Sequence, residues 1–214
     1  MEAVIDNDIL FKGACYGLLD ELLPANSSTM GPPGILGAAR YVVTKKIKKG
    51  TLRTDTTTAI QRLEAFIGRA EVVEPTENEQ LMAADFELAA QRAAVALDSG
   101  ESQLCAVVIA RALALLLTGD KRAIKAIERL LDADTRLRSL CGKIKCLEQL
   151  VLQSLSEESV SRLRAAICGE PDVDKALAIC FSCKNDGATL EGISEGLGSY
   201  ISDLRAAAHQ VLIA

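Results

Sequence analysis

Asp6 and Asp8 sit in "VIDNDIL" (4–10), directly after a short apolar run. Acids return as Asp98 and Glu101 in "LDSGESQL" (97–104) and as Asp120 in "LLLTGDKR" (115–122). Grouped carboxylates repel one another unless a divalent cation neutralises them, and hard oxygen donors with retained waters suit Mg²⁺ or Mn²⁺. Taken singly, each acid is also what the first turn of a helix favours, because its charge complements the macrodipole. A "DxD" start fits a third chemistry, a phosphatase or nucleotidase with Asp6 as nucleophile and Asp8 as acid. That motif wants Thr or Val at its fifth place, where this chain has Leu10.

The elements that position these acids follow from the hydrophobic pattern. "AVID" (3–6) is too short for a helix and reads as a buried strand, and 8–23 has helical spacing with Asp8 near its start and Lys12 one turn on. "NSSTMGPPG" (26–34) reads as a loop, 35–49 as a helix closed by Gly50, and 56–67 as a helix ending near Gly68. "EVVEP" (71–75) is a second strand, stopped by Pro75. Thr76 and Glu79 have capping-box spacing and open a long helix to about Leu97, after which Ser99 or Gly100 caps a helix over 101–112. The apolar run 113–118 then leads to a helix over 119–131.

This alternation predicts an α/β fold with a parallel sheet, in which functional groups gather past the carboxyl ends of the strands. Beyond residue 132 every segment has helical spacing, with Ser154 or Ser156 and Pro171 as start signals, so the expected organisation is an α/β domain over 1–131 and an all-helical extension over 132–214.

"VIDNDIL" and "LDSGESQLCAVVIARALALLLTGDKRAI" (97–124) together resemble the PIN-like nuclease superfamily over about residues 1–130. In that family an opening strand ends in Asp, an acid starts a helix of the type "GE..L...A", and a last strand ends in "T.D". The resemblance implies a three-layer α/β/α fold with a central parallel sheet and a metal-dependent ribonuclease activity. Position by position, Asp6 matches the first acid, Glu101 the third with Asp98 beside it, and Asp120 the fourth, while Thr118 matches the Thr that often precedes it. The implied catalytic residues are thus Asp6, Glu101 and Asp120, and the implied ligands of Mg²⁺ or Mn²⁺ are Asp6, Asp98, Glu101 and Asp120, with Asp8, Thr118 and Lys12 as secondary candidates.

The chain departs from the family at the second acid, where "YVVTKKIKKG" (41–50) offers lysines; Asp8 or Asp98 supplies the missing ligand, or the site is weakened. The same stretch carries charge of its own. Arg40, Lys45, Lys46, Lys48, Lys49 and Arg53 are positive with no acid among residues 40–54, a pattern that tracks a phosphate backbone or forms a solvated helix face. Lys121 and Arg122 stand beside Asp120, and His209, the only histidine, reads as structural.

A net charge of −5 excludes a generally basic nucleic-acid coat, so contact with nucleic acid must come from a local stripe. No apolar run reaches the ~18 residues of a membrane span, and Glu2, Asp6 and Asp8 take the place of a basic leader. The expected setting is cytoplasmic, with the seven cysteines as reduced, packed thiols. Zinc at Cys141, Cys146, Cys180 and Cys183, or redox use of "CFSC" (180–183), are the lesser readings. The leading expectation for function is phosphodiester hydrolysis, with RNA as substrate and DNA as second candidate. Its alternative is a catalytically weak or inactive PIN-like scaffold that binds nucleic acid or protein. An inhibitor or antitoxin partner and a homo-oligomer stay open.

Overall fold

The structure, a computed structural model, describes residues 1–23, 31–185 and 187–214. Five short strands, β1 (Ala3–Ile5), β2 (Gly34–Leu36), β3 (Glu71–Val73), β4 (Leu115–Thr118) and β5 (Ile144–Cys146), form one all-parallel sheet in the order β3-β2-β1-β4-β5. A parallel sheet needs both faces covered, and alternate residues divide accordingly. Ile5, Ile35 and Leu117 point into one core, and Val4, Leu36, Val73, Leu116 and Ile144 into the other.

On the first face lie α1 (Asn7–Tyr16), α2 (Leu19–Leu22), α3 (Ala39–Lys49), α4 (Thr56–Ile67), α8 (Leu147–Ser154), α9 (Val160–Gly169) and α10 (Lys175–Cys180). On the second lie α5 (Glu77–Ala93), α6 (Ser99–Ala110), α7 (Lys121–Leu130) and a 3₁₀ turn at Thr135–Leu140. The last helix, α11 (Leu190–Ala207), buries Ile193 and Leu197 in the first core and Ile201 and Leu204 in the second, so it spans both layers. The result is the expected three-layer α/β/α arrangement.

Several expectations need correcting. The C-terminal third is not all-helical: Ile144–Cys146 pairs with β4 as the sheet's edge strand, and Ile144 bridges Leu212, so the sheet runs past the boundary expected at 131. "GIL" (34–36), expected at a loop–helix junction, is strand β2. The helix expected over 8–23 breaks at Gly17, whose φ of 70° stops α1, and where a side chain would meet the Arg62 guanidinium. Part of the expected loop 26–34 lies outside the described residues. Pro171 does not open a helix, since α10 starts at Lys175 with Asp174 as its cap, and Ser159, not Ser154 or Ser156, precedes α9. Cys183 is in a disulfide with Cys168, which overturns both the all-thiol reading and the four-cysteine zinc set.

Candidate active site

The carboxyl ends of β1 and β4 lie side by side because the two strands pair with Ile5 opposite Leu117. Each strand runs straight into a helix whose first turn needs an acceptor for its free amides. Asp6 caps α1, accepting from the Asp8 amide, and Asp120 caps α7, accepting from the amides of Arg122 and Ala123. Thr118 ties them together: its hydroxyl donates to Asp6 Oδ2 at 3.0 Å, and its oxygen accepts from the Asp120 amide at 3.2 Å. Glu101 arrives from α6. Asp98 is that helix's cap, where Ser99 or Gly100 was expected, and the pair forms a full capping box, with both hydrogen bonds at 2.8 Å. Asp6, Glu101 and Thr118 line one small cavity at this end of the sheet, backed by Leu104, Cys105 and Ile127.

The electrostatics are those of crowded acids. Burial, then the nearby Asp8 charge, pushes the Asp6 carboxyl up to about 6, against the opposing Thr118 hydrogen bond. Burial, with the charges of Asp98, Asp120 and Asp6 adding to it, pushes Glu101 up to about 8. Asp120 differs: burial would raise it, but the Arg122 side chain and the helix amides hold it below the ordinary carboxylate range.

Asp8 stands beside this group, its Oδ2 against Gly119, but carries cations of its own. Lys12 reaches its Oδ2 at 2.5 Å and Lys46 its Oδ1 at 3.0 Å. Lys12 also meets Asp174 Oδ2 at 2.7 Å, and only 12% of its side chain is exposed. Two salt-bridged acids of the C-terminal third therefore stand beside the site, Asp174 on Lys12 and the buried Glu148 on Lys121 at 2.5 Å. Sequence reasoning missed both; Asp174 has the spacing of a helix cap, which signals a turn but not its long-range partner.

No family model, curated protein or solved structure matches this chain. Its chemistry is therefore read from the side chains alone. Among the described residues, no three Asp, Glu, His or Cys side chains stand close enough together, as placed, to hold one ion. Asp120 faces Arg122 at 2.8 Å, and Glu101 Oε2 faces the Asp98 amide. The residues expected to form the site share the carboxyl end of the sheet, but each has its own partner.

The expected basic stripe divides. Arg40 pairs with Glu64 on α4, and Arg53 lies 4.0 Å from Asp172, so both have acidic partners. Lys46 lies 4.4 Å over the Phe11 ring and, with Lys45 and Lys49, lines an open groove floored by Phe11 and Val42. Lys48 is exposed. His209 lies 3.4 Å from Glu128, far along the chain from the acids.

Proposed function

We propose that the chain is a PIN-like, divalent-metal-dependent ribonuclease. The observation that carries this reading is the meeting of Asp6, Glu101 and the Thr118–Asp120 turn at the carboxyl end of the sheet, with no basic group among the described residues on Asp6 or Glu101. The donor set is hard oxygen, which fits Mg²⁺ or Mn²⁺ in kind. Asp6, Glu101 and Asp120 would hold the ion, with Asp98 beside them, once Asp120 leaves Arg122. An ion held there would supply a more acidic water and neutralise charge on the phosphoryl group. The chain's own residues do the rest: Thr118 fixes the Asp6 carboxylate, Arg122 is released toward a phosphate oxygen, and Lys46 stands at the rim as a second cation.

The test is cleavage of mixed-sequence RNA and DNA with Mn²⁺, Mg²⁺ and chelator. Metal-dependent RNA cleavage lost in both Asp6→Asn and Asp120→Asn supports the reading, and activity unchanged in both variants sinks it. The position of Lys46 favours a second reading, a weakened or inactive scaffold that binds RNA. It neutralises Asp8 in the stretch where the resemblance leads one to expect an acid. RNA binding without cleavage under every metal would decide for that.

A further inference from the structure

Beside the acids, on the opposite face of the sheet from the Lys45–Lys49 groove, lies a second basic groove. Arg122, Lys125 and Arg129 line it along α7, and its other wall is the small apolar ledge Ala94–Ala96, just before Asp98. The chain is acidic overall, so three cations at successive turns of one helix form a local field. Among the described residues Lys125 has only a loose partner, Asp203 at 3.7 Å with that acid's side chain 80% exposed, and a pair of this kind contributes little in water. Arg122 holds the end of the groove nearest the acids through its contact with Asp120.

We infer that Arg122, Lys125 and Arg129 form a second phosphate track for single-stranded RNA, continuing the path of the Lys45–Lys49 groove past the acid cluster. The inference rests on the ribonuclease reading and adds where the strand leaves the site. The two grooves lie on opposite faces of the sheet, and each has a cation at the carboxyl ends of the central strands: Lys46 contacts Asp8, just after β1, and Arg122 contacts Asp120, just after β4. A ligand touching both must turn over that end of the sheet. A duplex, stiff over ~150 base pairs, resists such a turn, whereas a single strand makes it readily and offers base faces to the ledge.

The experiment is fluorescence anisotropy of a labelled oligouridylate in chelator, against salt, with the full chain. Lys125→Gln/Arg129→Gln and Lys45→Gln/Lys49→Gln should each weaken binding and flatten the dependence of log K on log salt by about 0.7 for each phosphate no longer neutralised, with the melting temperature unmoved. Asp203→Asn should tighten binding, a gain that misfolding does not produce. The α7 pair leaving affinity and slope at wild-type values would overturn the inference while leaving the nuclease reading intact. A duplex of the same length binding more tightly than the single strand would overturn it too. Binding that needs both grooves, in a protein that shows no cleavage whichever metal is added, would keep the track and remove the nuclease.

Discussion

Thr118 and Asp6 stand 112 positions apart in sequence, and a 3.0 Å hydrogen bond joins the Thr118 hydroxyl to the buried Asp6 carboxylate. The same hydroxyl oxygen accepts from the Asp120 amide, so one side chain fixes the ends of both central strands. Thr118→Val keeps the shape and removes the bond, leaving a buried carboxylate short of a donor. The expected cost is about 1–2 kcal/mol of stability in urea melts. Because the bond lowers the Asp6 pKa, its loss should also move that carboxyl above about 6, read by carboxyl NMR. A Val variant with unchanged titration would show that the hydroxyl does not hold Asp6.

The raised carboxyls give stability a definite pH slope. Asp6 rises from 3.8 to about 6 and Glu101 from 4.5 to about 8, so across that range the folded chain binds more protons than the unfolded one. Stability contributed by the protonated acids is then full below about pH 4 and is lost as pH rises through 6 and 8. The melting temperature without divalent ions should fall from pH 5 to pH 8.5. Glu101→Gln should flatten the upper part of that fall and stabilise the protein at pH 8, since an amide keeps an acceptor for the Asp98 amide. A wild-type profile rising through this window would contradict the crowding of the acids.

How much of this was legible in sequence depended on range. Strands β1 and β4 announced themselves as apolar runs ending in acids, and the Thr76–Glu79 capping box formed as its spacing predicts. β2 and β5 did not, although β1 and β3 are equally short, because Gly34–Leu36 and Ile144–Cys146 run into apolar spacing that reads as the start of the following helix. Cys146 is the last residue of β5 and also the cap of α8, so no turn signal separates strand from helix there. The acids' common end of the sheet was readable, because parallel strands put their carboxyl ends together. Their long-range partners were not, because Lys46 reaches Asp8, and Asp174 reaches Lys12, through side-chain directions that periodicity does not encode.

Lys12 is the sharpest of those partners. It is nearly enclosed between Asp8 and Asp174, so Lys12→Met would leave two largely buried carboxylates facing each other. Breaking such a pair costs about 3 kcal/mol or more. Adding Asp174→Asn to Lys12→Met should recover part of that loss, since one of the stranded charges is then gone. A double variant no more stable than the single one would show that the charges do not account for the loss.

The Cys168–Cys183 disulfide closes a segment that carries two anchors. Glu170 accepts from the Arg53 and Thr54 amides, and Asp174 meets Lys12. With a sequence separation of 15, closing the loop stabilises by about 3 kcal/mol in the chain-entropy account. Dithiothreitol, or Cys168→Ser with Cys183→Ser, should lower the melting temperature and raise hydrogen exchange across 170–182. Equal exchange in oxidised and reduced protein would mean that the anchors hold the segment unaided.

Lys46 gives the last prediction, because its ammonium, 3.0 Å from Asp8, lies in the stretch where the family resemblance leads one to expect an acid. Lys46→Glu removes an ion pair that is half exposed on the lysine side and sets a like charge near Asp8. Metal-free protein should therefore lose about 1 kcal/mol. If the acid edge takes Mn²⁺, the added carboxylate should raise the affinity for it. Saturating Mn²⁺ should then raise the variant's melting temperature by more than the wild type's, because an ion bound only by the folded state stabilises in proportion to the logarithm of its affinity. Thermal melts with and without Mn²⁺, paired with calorimetric titration of the ion, read both effects. A variant that is destabilised and gains no Mn²⁺ affinity would place Lys46 among the residues that merely pack Asp8 against Phe11, and would leave the second acid without a position in this chain.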